Sequence, residues 1–364
     1  MNNSKMNQDY SMENIKNEYD KKIYIKCFFI FVSLLVLVFC ILFSVTIGSA
    51  DISIGEVKDV ILSTIFRNLK FNDQNSLQKK IIILLRMPRV ILAVLAGAGL
   101  SVSGVIMQAI TQNPLVSPFT IGISSAAVFG ASLSIVLGIG FYAGTMGGVV
   151  LNAFIFSLLC ALLVYGISNK VGMTPESLIL TGISINYLFS ALSATMQFFS
   201  KEHQLAAVVQ WTFGSVNGAT WTQVALVSVV LAVSFPILYY YSWIFNAMSS
   251  SGDEVAKGFG IKPSKVRAIT GIITVFVTSA IISFTGVIGF IGLVGPHIAR
   301  LAVGSDHRFL IPYSAIFGAI LLLISDTIGR TILSPVIIPV GIVISFLGVP
   351  LFINLILTRR KEYF

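Results

Sequence analysis

The sequence predicts an all-α, polytopic membrane protein of about ten transmembrane helices, and three observations carry that prediction. Hydrophobic residues fill 55 % of the 364 positions and charged residues only 11 %, for a mean hydropathy of +0.90, far outside the range of soluble globular chains. The apolar residues gather into runs of about 20, the length a helix needs to cross a bilayer's hydrocarbon core. Each run is bounded by Gly, Pro, Asn or charged residues.

Residues 1 to 24 mix both charge signs and are expected to form a cytoplasmic tail. The apolar run from Cys27 to Ile47 exceeds a signal-peptide core. The first span, near 25 to 47, is therefore read as uncleaved, although Gly48-Ser49-Ala50 has the small residues of a signal-peptidase site. Further spans are expected near 90 to 110, 117 to 138, 143 to 167, 175 to 199, 221 to 245, 266 to 287, 289 to 304, 310 to 330 and 335 to 357. The eighth is short and carries Gly295-Pro296. The transmembrane domain thus occupies 25 to 358, and 359 to 364 form a second cytoplasmic tail. Placing both termini in the cytoplasm puts about 15 of the 24 Lys and Arg inside and about 9 outside, in a multi-pass protein of the cell membrane. The segment Asp51 to Arg89 carries about seven of those nine, so it works against the rule.

The second span opens on Arg86 and Arg89 and ends at Asn113-Pro114-Leu115. Ala93, Gly97 and Ser101 recur every fourth residue, so one face admits another helix backbone. Two arginines three positions apart at a helix start either snorkel to lipid headgroups or dock an acidic partner. Asp326 and Arg330, four apart, suit a helix ion pair, and Arg330 closes the ninth span at the same mouth as Arg86 and Arg89. Gly286, Gly289, Gly292 and Gly295 recur every third position, read as close helix packing or a hinge. Gly104-Val105-Ile106 with Pro114 recurs as Gly286-Val287-Ile288 with Pro296, and Gly122 matches Gly304 at the same offset, the pattern of an inverted repeat.

The net charge of +9 lies between spans rather than in basic runs, so nucleic acid is not an expected partner. Cys27, Cys40 and Cys160 lack CxxC spacing and His neighbours, and His203, His297 and His307 are dispersed; neither set reads as a metal site. No Walker loop, HExxH or nucleophile elbow occurs, and Glu176 and Asp326 lie towards span ends, where ion coupling has no obvious carboxylate. An energy source must therefore come from outside the chain. The polar stretch Ser249 to Arg267 offers a contact for one. Ser251 or Asp253 can cap a short helix with Val255 and Phe259 on one face, and Gly260 can end it before Pro263. That helix either lies at the membrane interface or fits a groove in a cytoplasmic partner.

Together, RMPR followed by GAGLSVSGVIMQ and NPL at 86 to 115, GDEVAKGFGI at 252 to 261, GVIGFIGLVGPHIARLAVGSDHR at 286 to 308 and PVGIVISFLGVPLFINLIL at 339 to 357 resemble the FecCD-type permeases of ATP-driven importers. The resemblance runs from about residue 27 to 360 and implies a permease subunit translocating a metal chelate, an iron-siderophore first, with haem or cobalamin behind it. It implies that Arg86, Arg89 and Arg330 dock an extracellular substrate-binding lipoprotein. It further implies that Asp253, Glu254, Val255 and Phe259 couple to an ATPase, and that Asn113, Pro114, Leu115 and Thr174 form the cytoplasmic gate. The implied partners are a second permease subunit, identical or related, and two ATPase subunits that bind the ATP, so that this chain is not an enzyme and needs no cofactor. The MTPES sequence around Thr174 departs from the small hydroxylated pair expected there. The rival reading is an ion-coupled secondary transporter, which calls for a buried residue that titrates with transport.

Overall fold

Hydrocarbon offers no water to satisfy a peptide group, and every regular element among the described residues is helical. The computed structural model describes residues 2–48, 55–58, 60, 76–140, 142 and 145–358. Helix α1 (Asn2–Thr46) leads; a short helix (Ser76–Lys80) and a π-helical turn (Ile81–Arg86) then run into α2 (Met87–Thr111). There follow α3 (Ile123–Ser132), α4 (Met146–Lys170), α5 (Pro175–Phe198), α6 (Glu202–Thr212), α7 (Trp221–Tyr240) and α8 (Ser242–Gly258). The chain closes with α9 (Pro263–Thr285), α10 (Ile291–Val303), α11 (His307–Thr331) and α12 (Val340–Thr358).

Helices α1, α2, α4, α5, α7, α9 and α11 are long and apolar enough to cross a membrane. Shorter apolar helices, Ile123–Leu137, Ile291–Val303 and Val340–Asn354, fall at the third, eighth and tenth expected spans. All ten expected runs are therefore helical. The eighth stays continuous through Pro296, whose missing N–H leaves the Gly292 carbonyl without its helical partner.

The structure differs from expectation in four places. Helix α1 continues through the expected tail, because residues 2–24 contain neither Gly nor Pro to stop it. Helix α6, too short and polar to read as a span, is stabilised by Gln204, whose amide oxygen accepts from the Lys201 N–H at 3.0 Å while its NH₂ donates to the Val136 carbonyl at 2.9 Å. The expected sixth span divides: α7 ends at Tyr240, and α8 starts a new helix, itself broken at Gly252 (φ 73°). The two Gly-Val-Ile triplets do not occupy equivalent structure, since Gly104 lies inside α2 whereas Gly286 ends α9 at φ 68°. Residues 49–54, 59, 61–75 and 359–364, and with them most of the basic segment after α1 and the C-terminal tail, lie outside the described residues.

The core is organised around α2, whose apolar window is 78 % buried, against 17 % for α1. Its small residues are what let it sit there. A Cβ on Gly97 would stand 2.3 Å from the Gly318 carbonyl oxygen of α11, and one on Gly104 would stand 1.9 Å from that of Gly292 in α10. Ser101 and Ser314 hydroxyls meet at 2.7 Å between the same helices, which satisfies both in a dry interface. The expected close-packing face of α2 is thus the one that forms. Of the four regularly spaced glycines, Gly292 and Gly295 pack against α2, Gly286 makes a turn and Gly289 faces open space.

Gly104→Val should force α2 and α10 apart at a cost of about 1–3 kcal/mol, as overpacking does. Gly166→Val, with nothing within 4 Å of its added Cβ, should be near neutral. Thermal unfolding of the two purified variants in detergent checks this; equal melting temperatures would contradict the packing described.

Candidate functional site

Helix α2 is 25 residues long and so spans about 38 Å, which separates its arginine end from its Gln112 end by the depth of a membrane. Each end carries a polar cluster.

At the arginine end, the last turn of α1 would leave its carbonyls unpaired in an apolar setting. Two arginines take them. Arg86 donates through one nitrogen to the Val45 and Thr46 carbonyls, both at 2.8 Å, and Arg330 donates to Ser44 and, at 2.9 Å, to Ile47. The Phe43 carbonyl accepts from the Thr46 hydroxyl at 2.8 Å, which completes the turn. Cations at a helix C-terminus also suit its dipole. Arg89 grips Asp326 with both prongs, Nε at 3.0 Å from Oδ2 and Nη2 at 2.9 Å from Oδ1, and reaches Asn217 at 3.0 Å. The expected Asp326–Arg330 pair forms at 3.9 Å, looser than the Arg89 pair that sequence spacing does not reveal. The structure therefore brings Arg86, Arg89 and Arg330 together at one mouth, Arg86 buried and the other two partly so, and their side chains hold carbonyls and a carboxylate that is 2 % exposed.

At the other end, Gly252 breaks α8 and turns Asp253 inward while Glu254, Val255 and Phe259 face out. Val255 is 47 % and Phe259 74 % exposed, an apolar pair one turn apart on a segment otherwise polar, and Glu254 pairs with Lys257 at 2.8 Å. Asp253 is gripped by Arg267, Nη1 to Oδ2 at 2.6 Å and Nη2 to Oδ1 at 2.7 Å. Those hydrogen bonds hold the Asp253 carboxyl below the usual range, against the effect of its burial. Arg267 also donates to the Ile110 carbonyl in the last turn of α2 at 2.7 Å, and Gln112 donates to Asp253 at 3.0 Å. Arg267, 1 % exposed, was visible in sequence only as the end of the polar stretch; no local pattern marks its partner in α2. At the same end, Asp306 caps α11 and accepts from Asn246 of α8 at 2.8 Å. Burial alone would raise its pKa, yet hydrogen bonds from Arg308 and Asn246 outweigh that and hold it at about 2. The Arg308 guanidinium stacks 4.1 Å over the Trp243 ring and reaches Tyr19, so the N-terminal helix joins this same end.

Of the residues expected at the gate, Asn113 accepts from the Leu115 N–H at 2.9 Å and so closes a tight turn whose Leu115 side chain is exposed. Thr174 lies on another loop as the N-cap of α5, accepting from the Ser177 N–H at 3.2 Å. Between the two ends, α5 is the least apolar of the long helices and little of it is buried. Ser125, Ser190, Ser193, Gln197 and Thr212 line a cavity of about 290 Å³ against it. Ser125 donates to Asn186 at 2.5 Å and accepts from Ser190 at 3.2 Å. This wall offers hydroxyls and amides and no ionisable group, so it can hydrogen-bond a polar solute without taking a proton or a metal from it. The sequence signal is the low hydropathy of a span, carried by hydroxyls and amides with no charged residue after Glu176 to mark it. No cluster of three His, Cys, Asp or Glu side chains able to hold a metal ion occurs among the described residues.

Residues 36–358 match the FecCD transport family. The chain belongs to that family. It is 34 % identical over 332 residues to the iron(3+)-hydroxamate import system permease protein FhuG of Bacillus subtilis, covering 89 % of this chain and 97 % of that one. It is 42 % identical over 287 residues to a Methanocaldococcus jannaschii protein assigned as an ABC transporter permease, covering 76 % and 82 %. A solved structure assigned as a metal-chelate type ABC transporter in an inward-facing conformation superposes with a TM-score of 0.78 at 30 % identity, covering 90 % of this chain and 98 % of that one. As a FecCD member the chain is a multi-pass permease subunit of an ABC importer, with ATP hydrolysis on a separate subunit.

Proposed function

We propose that this permease moves a metal chelate inward, an iron-hydroxamate type of siderophore complex before haem, along a path formed with a second permease subunit. The observation that carries the reading is the outward apolar pair Val255 and Phe259 on a short helix outside the spans, beside the buried Arg267 cluster. A 74 %-exposed Phe on a polar segment has no role inside the chain and fits a groove in a partner. That partner is one of two ATPase subunits, and its face marks the cytoplasm. The N-terminal side of α1 then lies inside, because Tyr19 meets Arg308 at this end, and α11 and α12 run out and back so that the C-terminal side does too. The relatives' names support the cargo: iron(3+)-hydroxamate for the two Bacillus subtilis permeases FhuG and FhuB, hemin for the Yersinia pestis permease. The hydroxyl-lined wall of α5 supports it too, since an uncharged polar path suits an oxygen-rich chelate that must arrive with its metal still bound.

At the opposite mouth, Arg86, Arg89 and Arg330 dock the substrate-binding lipoprotein. In the undocked chain Asp326 occupies Arg89, as a carboxylate of the partner does on docking. The gate loops at Asn113-Pro114-Leu115 and Thr174 close the cytoplasmic end. ATP binding draws the ATPase pair together, moves the helix at 253–259 and opens one side of the path while closing the other.

Phe259→Glu should weaken association with the ATPase by about 2 kcal/mol, roughly thirtyfold, as loss of an aromatic anchor does. Co-purification of the two subunits reads this, and full retention would contradict the assignment. The mouth needs a gentler probe, because reversing Arg86 or Arg330 uncaps α1. The pair Arg89→Gln with Asp326→Asn removes one buried charge of each sign, so the folded chain should persist while its affinity for the binding protein falls. Unchanged affinity in a pull-down would sink the docking role of Arg89.

A further inference from the structure

Nothing in the docking helix itself explains how its displacement would reach the gate. Val255, Phe259 and Glu254 point away from the chain, and Gly252 (φ 73°) and Gly260 (φ 77°) flank the segment with joints that isolate it from α8 and α9. The inward side of the segment is different. Ala256 is buried in the apolar core, and Asp253 is hydrogen-bonded from two other elements, by Arg267 of α9 and by Gln112 in the turn before the gate.

We propose that Arg267 is a positioning residue that makes the ATPase-docking segment and the Asn113-Pro114-Leu115 gate loop one mechanical unit. This inference rests on the reading of residues 253–259 as the ATPase contact. The guanidinium has five N–H donors in one plane, and three of them engage two groups on different elements. Two donors fix both oxygens of Asp253 at 2.6 and 2.7 Å, and Nε fixes the Ile110 carbonyl at 2.7 Å, one turn before the gate. Gln112, in left-handed backbone geometry at φ 50°, closes the loop by donating to Asp253 at 3.0 Å and to the Met248 carbonyl at 3.0 Å. The gate turn thus hangs between the two halves of α8 and the base of α9.

The energetics make the linkage stiff. Arg267 is 1 % exposed, so separating it from Asp253 leaves a cation in a dry interior, which costs far more than moving the α2 terminus with it. When the ATPase moves Asp253, the low-energy response is for Arg267, the Ile110 carbonyl and the gate turn to follow as a body. A lysine at this position keeps the charge and loses the planar three-way grip, because one ammonium cannot present parallel donors to a carboxylate and a third to a carbonyl on another helix.

The test uses the full complex of permease and ATPase subunits in vesicles, with Cys27, Cys40 and Cys160 replaced by alanine and Leu115→Cys as the reporter. Leu115 is 59 % exposed, so a water-soluble maleimide reads its accessibility in the nucleotide-free and the ATP–vanadate-trapped states. In the otherwise unsubstituted chain, trapping should change the labelling rate several-fold. In Arg267→Lys the ATPase should still co-purify and hydrolyse ATP, while the nucleotide-dependent change at position 115 is lost; Gln112→Ala should reduce that change by a smaller factor. An equal response in Arg267→Lys overturns the inference alone. So does loss of ATPase binding together with the response, since the residue is then merely structural. No response in the unsubstituted chain overturns the permease–ATPase reading, and the inference with it.

Discussion

A helix that ends at a membrane boundary leaves a turn of carbonyls without N–H partners, and in this protein arginines supply them. Arg86 and Arg330 complete the last turn of α1 at one face, and Arg267 takes a carbonyl from the last turn of α2 at the other. Two of these cations have a carboxylate beside them, Arg330 facing Asp326, which Arg89 also grips, and Arg267 facing Asp253. The same requirement therefore fixes where α1 and α2 stop and where the chain's few buried charges sit. Placing charge at helix ends also keeps it at the two borders of the span and out of the apolar middle.

The middle of the chain meets the opposite demand. Lipid gives no hydrophobic reason for helices to associate, so α2 is held by close backbone contact at Gly97 and Gly104 and by the Ser101–Ser314 hydrogen bond. Packed this tightly, α2 transmits displacement along its length instead of absorbing it. Its neighbour α5 is the reverse, half exposed and rich in hydroxyls, and lines a cavity. A rigid central helix beside a polar wall is the arrangement a gated path requires.

Much of this was legible in the sequence for a simple reason: runs of about 20 apolar residues have one stable conformation in lipid. The Ala93–Gly97–Ser101 face could be read because small residues every fourth position have few other uses. What could not be read depends on partners distant in the chain. Arg89 looked free to meet an outside carboxylate, yet Asp326, 237 positions away, already holds it. Arg267 looked like the charged edge of a loop, and only the fold brings the Ile110 carbonyl to it. Helix α6 escaped notice because 11 residues of mixed polarity carry too weak a period, and Gln204 supplies from its side chain what the pattern lacks. Sequence groups Asp253 with its neighbours 254, 255 and 259; the positive φ of Gly252 turns it the other way.

The central claim is that this chain forms a gate driven by a nucleotide-hydrolysing neighbour and carries no motor of its own. The most direct measurement is uptake of a radiolabelled iron(III)-hydroxamate into vesicles holding the permease with and without its ATPase and binding protein. The account predicts accumulation above the external concentration only when the complete assembly is given ATP. Accumulation by the permease alone under a proton or sodium gradient would contradict it.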